Sequence, residues 1–170
     1  MTRTALTVLA AWLALHAAPA VAEPTLTGRE VTVYVLTYDD PARPLFFGRL
    51  HATTVGDGVE FGLEPEGVQN NLDVAPSLID VGPTRIEISY APTPPGMLAT
   101  ARFNGYIFAF APKCLLFAGA RIDREVTNVA LQDSALTLHG PSLRLNVTGL
   151  VHDRATRIAF DLDIRDCPVS

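Results

Sequence analysis

Large apolar side chains recur at every second position along much of the chain beyond residue 28, the spacing of a strand with one buried and one wet face. In residues 157–164, Ile158, Phe160, Leu162 and Ile164 fall on one side and Arg157, Ala159, Asp161 and Asp163 on the other. Residues 84–90 repeat the pattern with Ile86, Ile88 and Tyr90 against Arg85, Glu87 and Ser89, and residues 143–147 with Leu143, Leu145 and Val147 against Arg144 and Asn146. Residues 31–38 are β-branched or aromatic on both faces, which predicts a central strand. Residues 45–55 and 59–63 flank Gly56-Asp57-Gly58 and predict a hairpin, and residues 106–110 and 115–122 flank Ala111-Pro112-Lys113, a second tight reversal. A short strand over 135–138 is closed by Gly140-Pro141.

Turn residues punctuate these runs. Asp39-Asp40-Pro41-Ala42-Arg43-Pro44 is a turn with two proline stops. Pro92-Thr93-Pro94-Pro95-Gly96 excludes helix and central strand, because proline lacks the donor a ladder needs. Each half of the chain about this point is too small to hold a good core alone, so one domain is expected, with a long connection crossing between sheets. Eight to ten strands at such spacing predict an all-β fold, an antiparallel β-sandwich or a partly closed barrel. Residues 64–78 are the least patterned and would admit a helical turn. A membrane barrel is disfavoured by short strands, by apolar residues on both faces of others, and by proline-rich connections.

The N-terminus has a different pattern. One cation, Arg3, precedes a helix-prone apolar run over 5–18; Pro19 breaks it, and Ala20-Val21-Ala22 offers the small residues that a signal peptidase reads. The run is too short to span a bilayer, which takes about 20 apolar residues. The expectation is a signal peptide over 1–22, cleavage between Ala22 and Glu23, a single domain over 23–170, and a periplasmic or secreted product without a transmembrane segment. Losing Arg3 takes the formal net charge from −5 to −6. That acidic balance argues against nucleic acid as a partner. The two cysteines, Cys114 and Cys167, suit one disulfide in an oxidising compartment. It would close a long loop, worth about 4 kcal/mol in the chain-entropy picture.

Catalytic signatures are sparse. The sequence has no G-x-S-x-G elbow, no H-E-x-x-H and no phosphate-binding glycine loop after a strand. No catalytic, cofactor-binding or metal-ligating residue is therefore assigned, and no cofactor is expected. His51, His139 and His152 are scattered, with His139 and His152 expected at exposed turns. Asp161 and Asp163 share a wet strand face, Asp166 follows, and Asp39 and Asp40 sit together in a turn. Such carboxylates can hold calcium or act as a glycosidase pair, or can simply face Arg85, Arg144 or Arg157 on neighbouring strands. Asn146-Val147-Thr148 matches a glycosylation sequon but falls in a predicted strand.

The succession Val55-Gly56-Asp57-Gly58-Val59-Glu60-Phe61, Ile86-Glu87-Ile88, Phe103-Asn104-Gly105-Tyr106-Ile107-Phe108 and Leu143-Arg144-Leu145-Asn146-Val147-Thr148-Gly149-Leu150 resembles a secreted β-sandwich module of bacterial exported proteins, including those bearing the PEP-CTERM sorting tail. The resemblance covers nearly the whole of 23–170 and implies export and a sandwich, but no catalytic residues. The chain departs from it in lacking the Pro-Glu-Pro and apolar tail, so release or periplasmic residence is expected instead of retention by that route. Within these motifs, Asn104-Gly105 and Gly149-Leu150 are expected to be turn or bulge features.

Three functions remain open. The first is a non-catalytic binding domain for an envelope protein or glycan, with contacts from loops near 39–44, 64–76 and 91–99. The second is a hydrolase assembled from dispersed residues such as His51, Asp161 and Asp163. The third is a calcium- or small-ligand-binding barrel. The sequence leaves the oligomeric state undetermined.

Overall fold

The computed structural model describes residues 24–62, 77–111 and 115–166. The expected signal segment with its Ala22–Glu23 junction, most of the poorly patterned stretch after residue 62, and both cysteines lie outside the described residues.

The chain is all-β, with two antiparallel sheets packed face to face. The first sheet holds β1 (Glu30–Tyr38), β2 (Phe46–Phe47), β3 (His51–Thr54), β8 (Phe103–Phe110), β10 (Leu136–His139) and β11 (Ser142–Asn146), in the order β10-β11-β8-β1-β2 with β3 also paired to β1. The second holds β4 (Val59–Phe61), β5 (Leu78–Val81), β6 (Arg85–Ser89), β9 (Leu115–Ile122) and β13 (Arg157–Asp166), in the order β4-β5-β6-β13-β9. A separate two-stranded ribbon pairs β7 (Gly96–Met97) with β12 (Val151–His152). The described residues contain no α-helix, only a 3-10 turn over Asp133–Ala135. The sheets do not close into a barrel.

Period-two patterning builds the core as expected. Ile158 and Phe160 of β13 stand opposite Ile88 and Ile86 of β6, Leu162 and Ile164 continue the same row beside β9, and all six are buried. From the first sheet, Val31 and Val33 of β1, Phe108 and Phe110 of β8 and Leu143 and Leu145 of β11 point inward. Phe108 and Phe160 meet edge to face across the two sheets with centroids 6.0 Å apart, a favoured aromatic geometry. β1 is an interior strand, with β8 on one side and β2 and β3 on the other.

Several expectations change. Neither predicted reversal is a hairpin. β3 pairs with β1 while β4 pairs with β5, and β8 lies in the first sheet while β9 pairs with β13 in the second. Both connections therefore pass from sheet to sheet, because each strand finds its hydrogen-bonding partner far away in sequence. Gly58 takes φ 128°, a value suited to glycine, in the first of these crossings. Glu60 braces that crossing by accepting from the backbone N–H of Gly56 at 2.8 Å and of Val81 at 2.7 Å. The expected strand over 45–55 is split into β2 and β3, and β5, β7 and β12 add short strands, so the described residues hold thirteen. Asn104 and Gly105 lie inside β8, not in a turn, whereas Gly149 (φ 66°) does make one. The long connection over 90–102 crosses between sheets as expected, from β6 to β8.

Candidate functional site

The sequence-marked acids and histidines do not converge. His51 stands in register with Val33, so it leaves the edge of the first sheet on its packed side. Asp161 and Asp163 leave the second sheet on its outer face, opposite in sense to the buried Phe160 and Leu162. Arg85 Nη1 lies 3.3 Å from Asp161 Oδ1 and 2.6 Å from Asp123 Oδ2, and Arg165 Nη2 lies 3.3 Å from Asp163 Oδ2. This is the arginine-faced strand surface anticipated for these acids. Asp39 accepts from the Arg102 N–H at 2.9 Å, and Asp40 accepts from the Ala42 N–H and pairs with Arg43. Asp40 stabilises its own turn, whereas Asp39 ties that turn to the distant Arg102 backbone. Among the described residues no three acids, histidines or cysteines gather as a metal site. Asn146 spends its amide on the backbone of Asn104, Thr148 and Arg102.

His139 is exposed beside the Gly140-Pro141 turn, as expected. His152 is the correction: it is only 6 % exposed. Its ring stacks on Tyr90 at 5.0 Å, and Tyr90 is itself fully buried. Behind it the hydroxyls of Tyr90 and Tyr106 lie 3.1 Å apart, and that of Tyr106 lies 3.2 Å from Ser77 Oγ. Burial pushes both tyrosines up from their ordinary value, so the chain of hydroxyls stays neutral. Burial lowers the His152 pKa, partly opposed by Asp153, and favours the neutral imidazole. The polar neighbours Asp153 and Arg154 suggest an exposed turn in sequence. Pairing of β12 with β7 instead turns the imidazole inward, so exposure cannot be read from neighbours alone.

Around this ring the ribbon opens a cavity of about 630 Å³. Pro95, Met97, Val129 and Val151 give it apolar walls, and Gly96 and His152 face each other within it. It coincides with the 91–99 loop region marked from sequence.

A second feature lies on the outer face of the first sheet. Tyr34, Leu36 and Tyr38 leave β1 on the side away from the core. Tyr34 stacks on Phe47 at 5.1 Å, and Tyr38 stacks on Phe103 at 5.3 Å. Tyr34, Ile107 and Arg144 form a cross-strand row through β1, β8 and β11. Ile107 is buried in this row despite pointing outward. Phe47 is 56 % exposed, and Leu45 and Leu50 beside it are more so. In sequence Arg43, Arg49 and Arg102 flank Leu45, Leu50 and Phe103, Arg43 is paired with Asp40, and the Arg144 Nε is buried without a hydrogen-bond partner among the described residues. Sequence reasoning found the strand but not the face. Apolar residues on both sides of β1 signal double burial, whereas here the outward side, which carries Tyr34 and Tyr38, is half-buried and borders the exposed Phe47.

No family model, no curated protein and no solved structure matches the chain.

Proposed function

We propose that the chain is an exported, non-catalytic binding domain that holds an acidic segment of an envelope protein against the outer face of its first sheet. The observation that carries this reading is the outer side of β1, where half-buried Tyr34 stacks on the exposed Phe47 and half-buried Tyr38 stacks on Phe103, with exposed Leu45 and Leu50 close to Phe47 in sequence. Contiguous exposed apolar surface on a soluble-sized domain marks an interaction site. Tyrosine, phenylalanine and arginine are the residues that interfaces favour. Arg49 and Arg102, next in sequence to Leu50 and Phe103, favour an acidic partner over a neutral one. The neighbouring loop over 39–44 is held by its own aspartates, so little ordering is lost on binding.

The test is capture of a partner from envelope extracts by the wild-type protein and by a Phe47→Ser, Tyr34→Ser variant with an unchanged melting temperature. One stoichiometric protein, lost with the variant and rebound when purified, supports the reading. Identical capture by both proteins, or recovery of glycan alone, overturns it. A hydrolase reading has less support, since His51, Asp161 and Asp163 leave different sheets on different faces.

A further inference from the structure

We infer that the cavity between β7 and β12 is a second, separate binding site, built for a small, neutral, mostly apolar molecule that carries one hydrogen-bond acceptor. Its volume of about 630 Å³ falls within the range of small-molecule sites, roughly 300–1,000 Å³. Pro95, Met97, Val129 and Val151 supply the apolar walls, with Met97 and Val151 exposed at the rim.

The polar groups on the wall are largely committed to one another, apart from His152 and the second oxygen of the exposed Asp153 carboxylate. Asp153 accepts from the Ala155 N–H at 2.8 Å and from Thr156 Oγ1 at 3.1 Å. Thr156 Oγ1 also accepts from the Asp153 N–H at 3.0 Å. The Asn128 amide donates to the Ala155 carbonyl and accepts from the Arg157 N–H, both at 2.8 Å. His152 remains. Its Nδ1 is buried with no hydrogen-bond partner among the described residues. A buried N–H left unpaired is rarer than a bare lone pair, so the neutral ring carries its proton on Nε2. The Nε2–Cε1 edge faces Gly96: a β-carbon there would stand 3.4 Å from Nε2 and 3.5 Å from Cε1. The absence of a side chain at residue 96 therefore leaves the donor uncovered within the cavity.

The ligand class follows from these groups. An Nε2–H donor asks for a carbonyl, ether or hydroxyl oxygen. Apolar walls ask for a ring or short hydrocarbon. The lining includes the Asp153 carboxylate and no cation, which disfavours anions. Stacking on Tyr90 fixes the ring plane, so the donor direction is set before the ligand arrives.

The experiment titrates the protein, with isotope-labelled histidine, with three neutral probes: acetophenone, p-cresol and toluene. The NMR signals of the His152 ring are followed in wild type and in Gly96→Ala. Position 96 has an ordinary backbone conformation and the added methyl meets only van der Waals contacts, so the variant keeps its fold. The expected result is saturable shifts of the His152 signals with acetophenone and p-cresol, at least about ten-fold weaker binding of toluene, equivalent to about 1.4 kcal/mol, and a comparable loss in Gly96→Ala. Equal binding of all three probes, unchanged binding by Gly96→Ala, or no shift at His152 overturns the assignment. Phe47→Ser, which tests the outer face, is expected to leave these titrations untouched, so the two proposals fail independently.

Discussion

Leu115 and Asp166 stand directly opposite one another at the end of the β9–β13 ladder. Cys114 precedes the first in sequence and Cys167 follows the second, and two cysteines in an oxidising compartment motivate one disulfide between them. The oxidised protein is expected to lack free thiols and to yield one peptide linking the two cysteines on non-reducing digestion. Replacing both with serine should cost about 2–4 kcal/mol in denaturant unfolding. Stoichiometric maleimide labelling of the unreduced, unfolded chain would refute the bond.

Gly105 of β8 should not tolerate a side chain. A β-carbon there would stand 1.9 Å from the Leu145 carbonyl oxygen, which is fixed backbone of β11. Gly105→Ala must push the two strands apart at the centre of the first sheet, at a cost of about 2–4 kcal/mol. Urea unfolding measures this; a cost under about 0.5 kcal/mol would mean that the strands yield easily.

His152 should make the fold sensitive to mild acid. Its folded-state pKa is lowered by burial, so as pH falls the unfolded chain takes up the proton first. Stability is then lost from about pH 6.5 downward, until pH passes the folded-state value. His152→Gln removes this slope, which melting temperatures between pH 7 and 5 would reveal. A wild-type curve parallel to that of the variant would contradict the buried neutral ring.

Asp123 should act in the opposite direction to Asp80. The Asp123 carboxylate is held below its ordinary range by the Glu125 N–H and by Arg85. It contributes stability above the unfolded-state value and loses it as pH falls through the lower folded-state one. Asp80 is raised by partial desolvation, then by Glu60 and Glu87, so its charged form opposes folding at neutral pH. Asp123→Asn should lower the melting temperature at pH 7, and Asp80→Asn should raise it. Both differences should shrink by pH 3. The same sign of change for both variants at pH 7 would defeat this account.

Much of the architecture was legible because period-two spacing is a local signal. Ile158, Phe160, Leu162 and Ile164 announce a half-buried strand without reference to anything else in the chain. Pairing is not local. Glycine at 56 and 58 marks a bend equally well whether the next strand returns alongside or crosses to the other sheet, and only the partners β1 and β5 decide. The same limit hid the candidate sites. His152 is buried by a two-residue ribbon whose strands are more than fifty residues apart in sequence, too short to leave a pattern. The outer aromatic face looked like a second buried face, since an exposed tyrosine and a buried one have the same spelling. The Asp161–Arg85 contact was foreseeable because opposite charges on wet faces of neighbouring strands attract.

The place of β13 between β6 and β9 has a consequence for assembly. The second sheet lacks its middle until residues 157–166 have been synthesised, so β6 and β9 have no bridge before then. The first sheet, complete by Asn146, has no such dependence, so the joining of β6 to β9 is the step left to the end of synthesis and to a distant encounter.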